Sequence, residues 1–123
     1  MLRKNTGFTF IEVLVAMVVL SIGLLGLVAL ITGVINGNKV SNRITTATVL
    51  AQDKMEKIKG VGYYDAEDEA GTEDYGEILW NSSYKRITGI VVDDPETGMK
   101  KITVTVYWDS DAHSLELKTI LAE

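Results

Sequence analysis

The sequence predicts an α+β protein in which a long N-terminal helix packs on a small antiparallel β meander of about three strands. Three observations support this prediction. The single proline is Pro95, so no helix-breaking ring interrupts the residues before it. The 23 residues from Val13 to Ile35 carry no charge. After Ser83, apolar and polar residues alternate in segments separated by turn residues, which is typical of half-buried strands.

The N-terminal helix is expected to have two parts. Residues 8–35 are long and apolar enough to span a membrane, because about 20 apolar residues cross the hydrocarbon core. Residues 36–59 form an amphipathic extension that ends at Gly60 and Gly62. Its apolar stripe, spaced by three and four residues, consists of Val40, Ile44, Ala47, Ala51, Met55 and Ile58. This stripe is predicted to carry a small exported domain.

The small domain comprises residues 60–123 and begins with an acidic segment. Residues 61–83 are predicted to be a loop, because they contain seven acidic residues and no basic one. Strands are expected within residues 84–121, with turns at 94–98 and 109–113. A domain of about 64 residues is marginal by itself, so the helical stripe should complete its core.

Composition argues against several classes of function. From Gly60 onward the chain has fourteen acidic and five basic residues, which argues against nucleic acid as the main partner. No cysteine is available for a disulfide or a zinc site, and His113 is the single histidine and lies in a predicted turn. No nucleophile motif occurs. We therefore expect no catalytic residues, no metal site, no cofactor and no enzyme activity.

The acidic segment leaves one alternative open, which is calcium binding by its carboxylates. Its spacing does not fit an EF-hand loop, because Ala70 stands where glycine is needed and Gly76 where a bidentate acid is needed. We favour a solvated surface loop, since charged runs usually face water.

The N-terminus carries the most specific motif of the chain. Arg3 and Lys4 precede Gly7, Phe8 follows, and Glu12 stands at the head of the apolar helix. A carboxylate in such a helix is costly unless it is paired. This stretch resembles the class III signal of type IV pilins and pseudopilins, in which a short basic leader ends in glycine, cleavage precedes phenylalanine, and glutamate is the fifth mature residue. An ordinary secretory signal peptide and an uncleaved signal anchor remain alternatives.

The resemblance implies roles for these residues. Residues 1–7 would be a leader that a prepilin peptidase removes between Gly7 and Phe8, and Phe8 would then be N-methylated. Glu12 would act in assembly by forming an ion pair with the Phe8 amine of a neighbouring subunit. Alternatively, it would interact only with the N-terminal amine of its own chain and with its own helix dipole. The leader charges Arg3 and Lys4 favour a cytoplasmic N-terminus.

The implied protein is a filament subunit with a single span in the inner membrane and a C-terminal domain outside, later part of a cell-surface pilus or a periplasmic pseudopilus. Its implied partners are other pilin or pseudopilin subunits, the prepilin peptidase, an inner-membrane assembly platform and membrane lipid. Residues 12–16, 22–27 and 50–56 look most like PilV-type minor pilins, which help to initiate a type IV pilus or sit at its tip.

Three alternatives remain. The first is a minor pseudopilin of a type II secretion system, which has the same N-terminal pattern. The second is a signal-anchored membrane protein with a small exported domain that never assembles. The third is a tethered hydrolytic or calcium-binding module.

Overall fold

The computed structural model describes residues 7–123, so the leader residues Arg3 and Lys4 lie outside the described part of the chain. The elements are helix α1 (Phe10–Val61), a 3-10 turn (Ala66–Glu69) and strands β1 (Gly71–Glu73), β2 (Tyr84–Val92), β3 (Met99–Trp108) and β4 (His113–Ala122). The chain divides into two compact units, Met1–Val40 and Ser41–Glu123.

In the second unit, the C-terminal part of α1 packs on an antiparallel sheet of order β1-β2-β3-β4. The predicted α+β class, a long helix on an antiparallel meander, is confirmed. The sheet has four strands rather than about three. The additional strand is β1, and it lies in residues 61–83, which were predicted to be a loop throughout. Only three residues long and without an apolar alternation, β1 pairs with β2 from Gly71↔Thr88 to Glu73↔Arg86.

The core lies between α1 and the inner face of β3. Alternate residues of β3 are buried: the apolar ones are Ile102, Val104, Val106 and Trp108, as the sequence pattern predicts, and the fifth is Lys100. The helix contributes Ala47, Leu50, Ala51, Met55 and Ile58. The first two members of the predicted stripe, Val40 and Ile44, are exposed instead. The described core covers the helix only from residue 47 onward, and there Leu50 and Lys54 join the buried face.

Two buried cations attach the acidic segment to the rest of the second unit. Lys54 on α1 is 2.8 Å from Glu69 and 3.9 Å from Glu73. Lys100 on β3, only 3% exposed, is 2.9 Å from Glu67 and donates to the carbonyl oxygen of Tyr63 at 2.6 Å. A charge this deeply buried is costly unless it is paired. These pairs therefore hold the segment against the helix and the sheet.

A bidentate pair ties β1 to β2 and to the helix. Arg86 donates from Nε and Nη2 to the two carboxylate oxygens of Glu73, each at 2.6 Å, and from Nη1 to the carbonyl oxygen of Leu50 at 2.9 Å. The acidic segment is thus less of a solvated loop than predicted, because its partners come from distant parts of the chain. Among residues 7–123 no group of three or more His, Cys, Asp or Glu side chains is arranged to hold a metal ion.

Stability of the second unit should depend on pH through Glu69 and Glu73. Hydrogen bonds from Lys54 and Lys57 lower the pKa of Glu69, and hydrogen bonds from Arg86 lower the pKa of Glu73. A carboxyl whose pKa is lower in the folded state stabilises the fold at pH values above its unfolded pKa, about 4.5, and loses that contribution as the pH falls through the folded value.

Unfolding of the full chain by denaturant can be measured in detergent by tryptophan fluorescence. We expect the midpoint denaturant concentration to fall as the pH drops below about 4.5. The double variant Glu69→Gln/Glu73→Gln should be less stable at neutral pH and should lose less on acidification. Glu116→Gln is the control, because Glu116 pairs only with exposed Lys118. Identical pH profiles for the double variant and the unaltered chain would refute this role of the two carboxylates.

Candidate functional site

Helix α1 begins with a capping box formed by Thr9 and Glu12. Thr9 directly precedes Phe10, the first helical residue. The backbone N–H of Thr9 donates to Oε2 of Glu12 at 2.8 Å, and the backbone N–H of Glu12 donates to Oγ1 of Thr9 at 3.3 Å. Such reciprocal bonds satisfy two N–H groups that the first turn of a helix leaves without partners. The carboxylate also lies at the positive end of the helix dipole.

Sequence reasoning had singled out Glu12 but missed Thr9. The signal was present, since a threonine three residues before a glutamate, ahead of an apolar run, is the sequence pattern of a capping box. The local partners expected from the sequence are the N-terminal amine and the helix dipole. The structure shows that in the uncleaved chain the Glu12 carboxylate accepts a hydrogen bond from the backbone N–H of Thr9.

Glu12 retains an acceptor for a further partner. Oε2 accepts the Thr9 N–H, whereas Oε1 has no hydrogen bond and the carboxylate has no ion pair among residues 7–123. The residue is exposed. Among residues 7–123, therefore, Oε2 of the carboxylate is bound by Thr9 and Oε1 is available for a further partner.

Gly7 and Phe8 lie just before the helix and are both exposed. A Cβ added at Gly7 would meet no atom of the described residues within 4 Å. In the intact chain the nitrogen of Phe8 belongs to the Gly7–Phe8 peptide bond, so it is a neutral amide with no charge to offer Glu12. Gly7, Phe8 and Glu12 lie within one short stretch of the chain, and cleavage of this bond would free an amine at Phe8, four residues before the carboxylate.

The helix surface that follows Glu12 is apolar and exposed. Two hydroxyl groups interrupt it, and each is satisfied within the helix: Ser21 Oγ donates to the Met17 carbonyl oxygen at 2.7 Å and Thr32 Oγ1 to that of Val28 at 2.9 Å. Such back-bonding uses the hydroxyl hydrogen of each of these side chains within the helix. By length and composition the N-terminal part of α1 can cross a membrane, and none of its apolar window is buried.

His113 shows no arrangement for catalysis or metal binding. It is exposed at the start of β4, its ring stacks on Trp108 with centroids 5.7 Å apart, and its nearest acid is Asp109 at 3.9 Å. This is the surface position at a strand end that its predicted turn indicated.

Comparison with known families gives one match. Residues 2–28 match the model described as the prokaryotic N-terminal methylation motif. Searches of curated proteins and of solved structures each found no match. The matched segment contains Gly7, Phe8, Thr9 and Glu12, together with the first part of the apolar helix. The chain therefore carries a class III, prepilin-type signal followed by a helix that fits a single-pass membrane anchor.

Proposed function

We propose that the chain is a minor pilin of the PilV type, a structural subunit that acts in the assembly or initiation of a type IV pilus or at its tip. The observation that carries this proposal is the Glu12 carboxylate, capped on one side and available on the other, at the head of an exposed apolar helix inside a methylation motif. A signal of this kind indicates a structural subunit rather than an enzyme.

The first step is processing of the leader. A prepilin peptidase hydrolyses the Gly7–Phe8 bond, so that water adds to the Gly7 carbonyl, the leader departs with a carboxylate, and Phe8 keeps a free amine. A methyl donor of the sulfonium class then transfers a methyl group to the Phe8 amine; the donor leaves as a thioether and the amine releases a proton. The departing leader, residues 1–7, includes Arg3 and Lys4. The charges of these two residues favour a cytoplasmic N-terminus before cleavage. An amine at this position is ordinarily a cation at neutral pH.

The second step is recognition between subunits. At the centre of a membrane helix a charged side chain costs roughly 2.5–3.5 kcal/mol on insertion scales, and the cost of a carboxylate in hydrocarbon falls when an opposite charge pairs with it. The Phe8 amine of a neighbouring subunit can approach the available Oε1 of Glu12 while Thr9 holds Oε2. Because the capping box presets the carboxylate, little side-chain freedom is lost on pairing. Contact between the apolar helices then supplies most of the adhesion.

The remaining domains follow from this assignment. Residues 8–35 anchor the subunit in the inner membrane, residues 36–59 extend the helix, and residues 60–123 form the exported domain, with the assembly platform and other pilins as partners. The likeness to PilV-type minor pilins in residues 50–56 includes core positions, since Leu50, Ala51 and Met55 are buried against the sheet. A minor pseudopilin shares the N-terminal features, so co-purification with identified secretion or pilus components tells the two machines apart.

Replacing Glu12 should separate membrane insertion from assembly. In native cells we expect Glu12→Ala and Glu12→Gln to reach the membrane fraction normally and to be lost from sheared filaments, measured by quantitative mass spectrometry. Glu12→Gln is informative because its amide oxygen can still accept the Thr9 N–H, which keeps the cap while removing the charge. Ser21→Ala is the control, because its hydroxyl bonds only within the helix. Normal recovery of Glu12→Gln in filaments would show that charge is not what assembly requires.

Thr9 variants test whether the cap holds the carboxylate. Thr9→Val removes Oγ1 but keeps the backbone N–H, whereas Thr9→Ser keeps both groups. Losing a helix cap costs about 1 kcal/mol, so the Glu12 amide of Thr9→Val should exchange with deuterium roughly fivefold faster in micelles, measured by NMR. Thr9→Ser should exchange at the rate of the unaltered chain. Equal rates for all three chains would contradict the capping box.

A further inference from the structure

An unusual backbone conformation occurs in the turn between β3 and β4. Asp109, Ser110 and Asp111 have φ angles of 54°, 56° and 68°, so three successive residues with side chains lie in the left-handed region. Aspartate enters this region more often than most residues, but residues normally do so singly, because Cβ comes close to the following carbonyl oxygen. Such a turn is costly and persists only where its surroundings impose it.

Contacts with β2 and with the β1–β2 connection hold the end of this turn. Asp111 forms an ion pair with Lys85 on β2. The Tyr75 hydroxyl donates to Oδ1 of Asp111 at 2.9 Å, and the backbone N–H of Asp111 donates to the same hydroxyl oxygen at 3.0 Å. Lys85 is flanked by Tyr75 and Tyr107, with Nζ 5.6 Å and 5.0 Å from the two ring centroids. Asp111 is therefore fixed to the sheet side of the second unit.

The start of the same turn contacts helix α1 through Arg43. The Arg43 guanidinium forms an ion pair with Asp109, and the Arg43 carbonyl oxygen accepts a hydrogen bond from Tyr84 Oη at 3.3 Å. Among residues 7–123, no residue of α1 before Arg43 forms an ion pair or a side-chain hydrogen bond with the turns and strands of the second unit. Arg43 is thus the first point at which polar contacts join the helix to the rest of this unit.

Apolar burial does not hold this part of the helix. Val40 and Ile44 are exposed, and the first buried helical residue is Ala47. Arg43 lies about one turn before Ala47, so its pair with Asp109 fixes a helical turn that the core does not cover. The side chains of Arg43 and Asp109 are 49% and 39% exposed. An ion pair with this exposure is weak and is screened by salt.

We propose that residues 109–111 form a strained clasp, which fixes residues 43–46 of α1 to the second unit and opens without unfolding of the core. The ion pair with Arg43 closes the clasp, whereas the strain of the left-handed turn favours opening, because residues 109 and 110 can then return to an ordinary conformation. The balance is small, since it sets one exposed ion pair against backbone strain. In the open state about one further turn of α1 is free of the sheet.

Amide hydrogen exchange of the full chain in micelles, followed by NMR, tests the clasp. Asp109→Asn removes the charge, and asparagine tolerates the left-handed region. We expect the amides of residues 43–47 to exchange roughly two- to fivefold faster in this variant, the effect of losing an exposed ion pair, while the amides of β3 are unchanged. Glu116→Gln breaks an exposed pair with Lys118 and should change neither set, so it is the control. Unchanged exchange at residues 43–47 in Asp109→Asn would overturn the proposal.

Variants of Ser110 separate the strain from the ion pair, because this exposed side chain forms no hydrogen bond or ion pair in the described part of the chain. Ser110→Gly removes the steric cost of the left-handed region, whereas Ser110→Val increases it. Exchange at residues 43–47 should therefore be slower in Ser110→Gly and faster in Ser110→Val, each by about twofold or more. The amides of β3 report that both variants are folded. An ion pair without strain predicts equal rates in the two variants, and that result would refute the clasp.

Ionic strength gives a third readout. Raising the salt concentration from about 0.01 M to about 1 M shortens the screening length from about 30 Å to about 3 Å. In the unaltered chain, exchange at residues 43–47 should accelerate towards the rate of Asp109→Asn, whereas that variant should respond little. All rates are compared at one pH, because Nε2 of His113 also lies 3.9 Å from Asp109. An equal salt response of the two chains would contradict a clasp that is closed by charge.

Discussion

The structure depends first on the constraint that a carboxylate imposes on an apolar helix. Glu12 stands where a membrane-length run of uncharged residues begins, and burying it without a partner is unfavourable. The chain meets this constraint locally through the capping box, in which Thr9 and Glu12 satisfy each other's backbone N–H groups. The other carboxylate oxygen has no hydrogen bond among residues 7–123, and under the proposed function it recognises the amine of a neighbouring subunit after cleavage.

The second constraint is that a small domain without disulfides has little core of its own. Here the helix supplies one side of that core, and β3 supplies the other with four alternating buried apolar residues. The acidic segment between helix and sheet adds little apolar burial, with Ala66 and Ile78 as its buried residues. Ion pairs to Lys54, Arg86 and Lys100 hold it in place. The helix is thus both the anchor and part of the folded domain.

Some of this architecture was predictable from local patterns and some was not. The uninterrupted helix and the alternation of β3 are periodic features that a sequence displays directly. The strand β1 was missed because its three residues form a strand only by pairing with Arg86–Thr88. The partners of the acidic residues were missed because Lys54 and Lys100 lie in other elements, far along the chain from Glu69 and Glu67. The exposure of Val40 and Ile44 depends on where the sheet begins to cover the helix, which periodicity does not specify.

In the candidate site, Glu12 was found from its charge, whereas the Thr9 cap was visible in the sequence and overlooked.

The N-terminus of the protein isolated from native cells tests the central claim most directly. Intact mass combined with N-terminal sequencing should show a chain that begins at Phe8 and carries a methylated amine, which is the cation that Glu12 of an adjacent subunit requires. A chain that still begins at Met1, or one cut beyond Ile35, would contradict the account. Neither product could bring a free amine at residue 8 to the carboxylate.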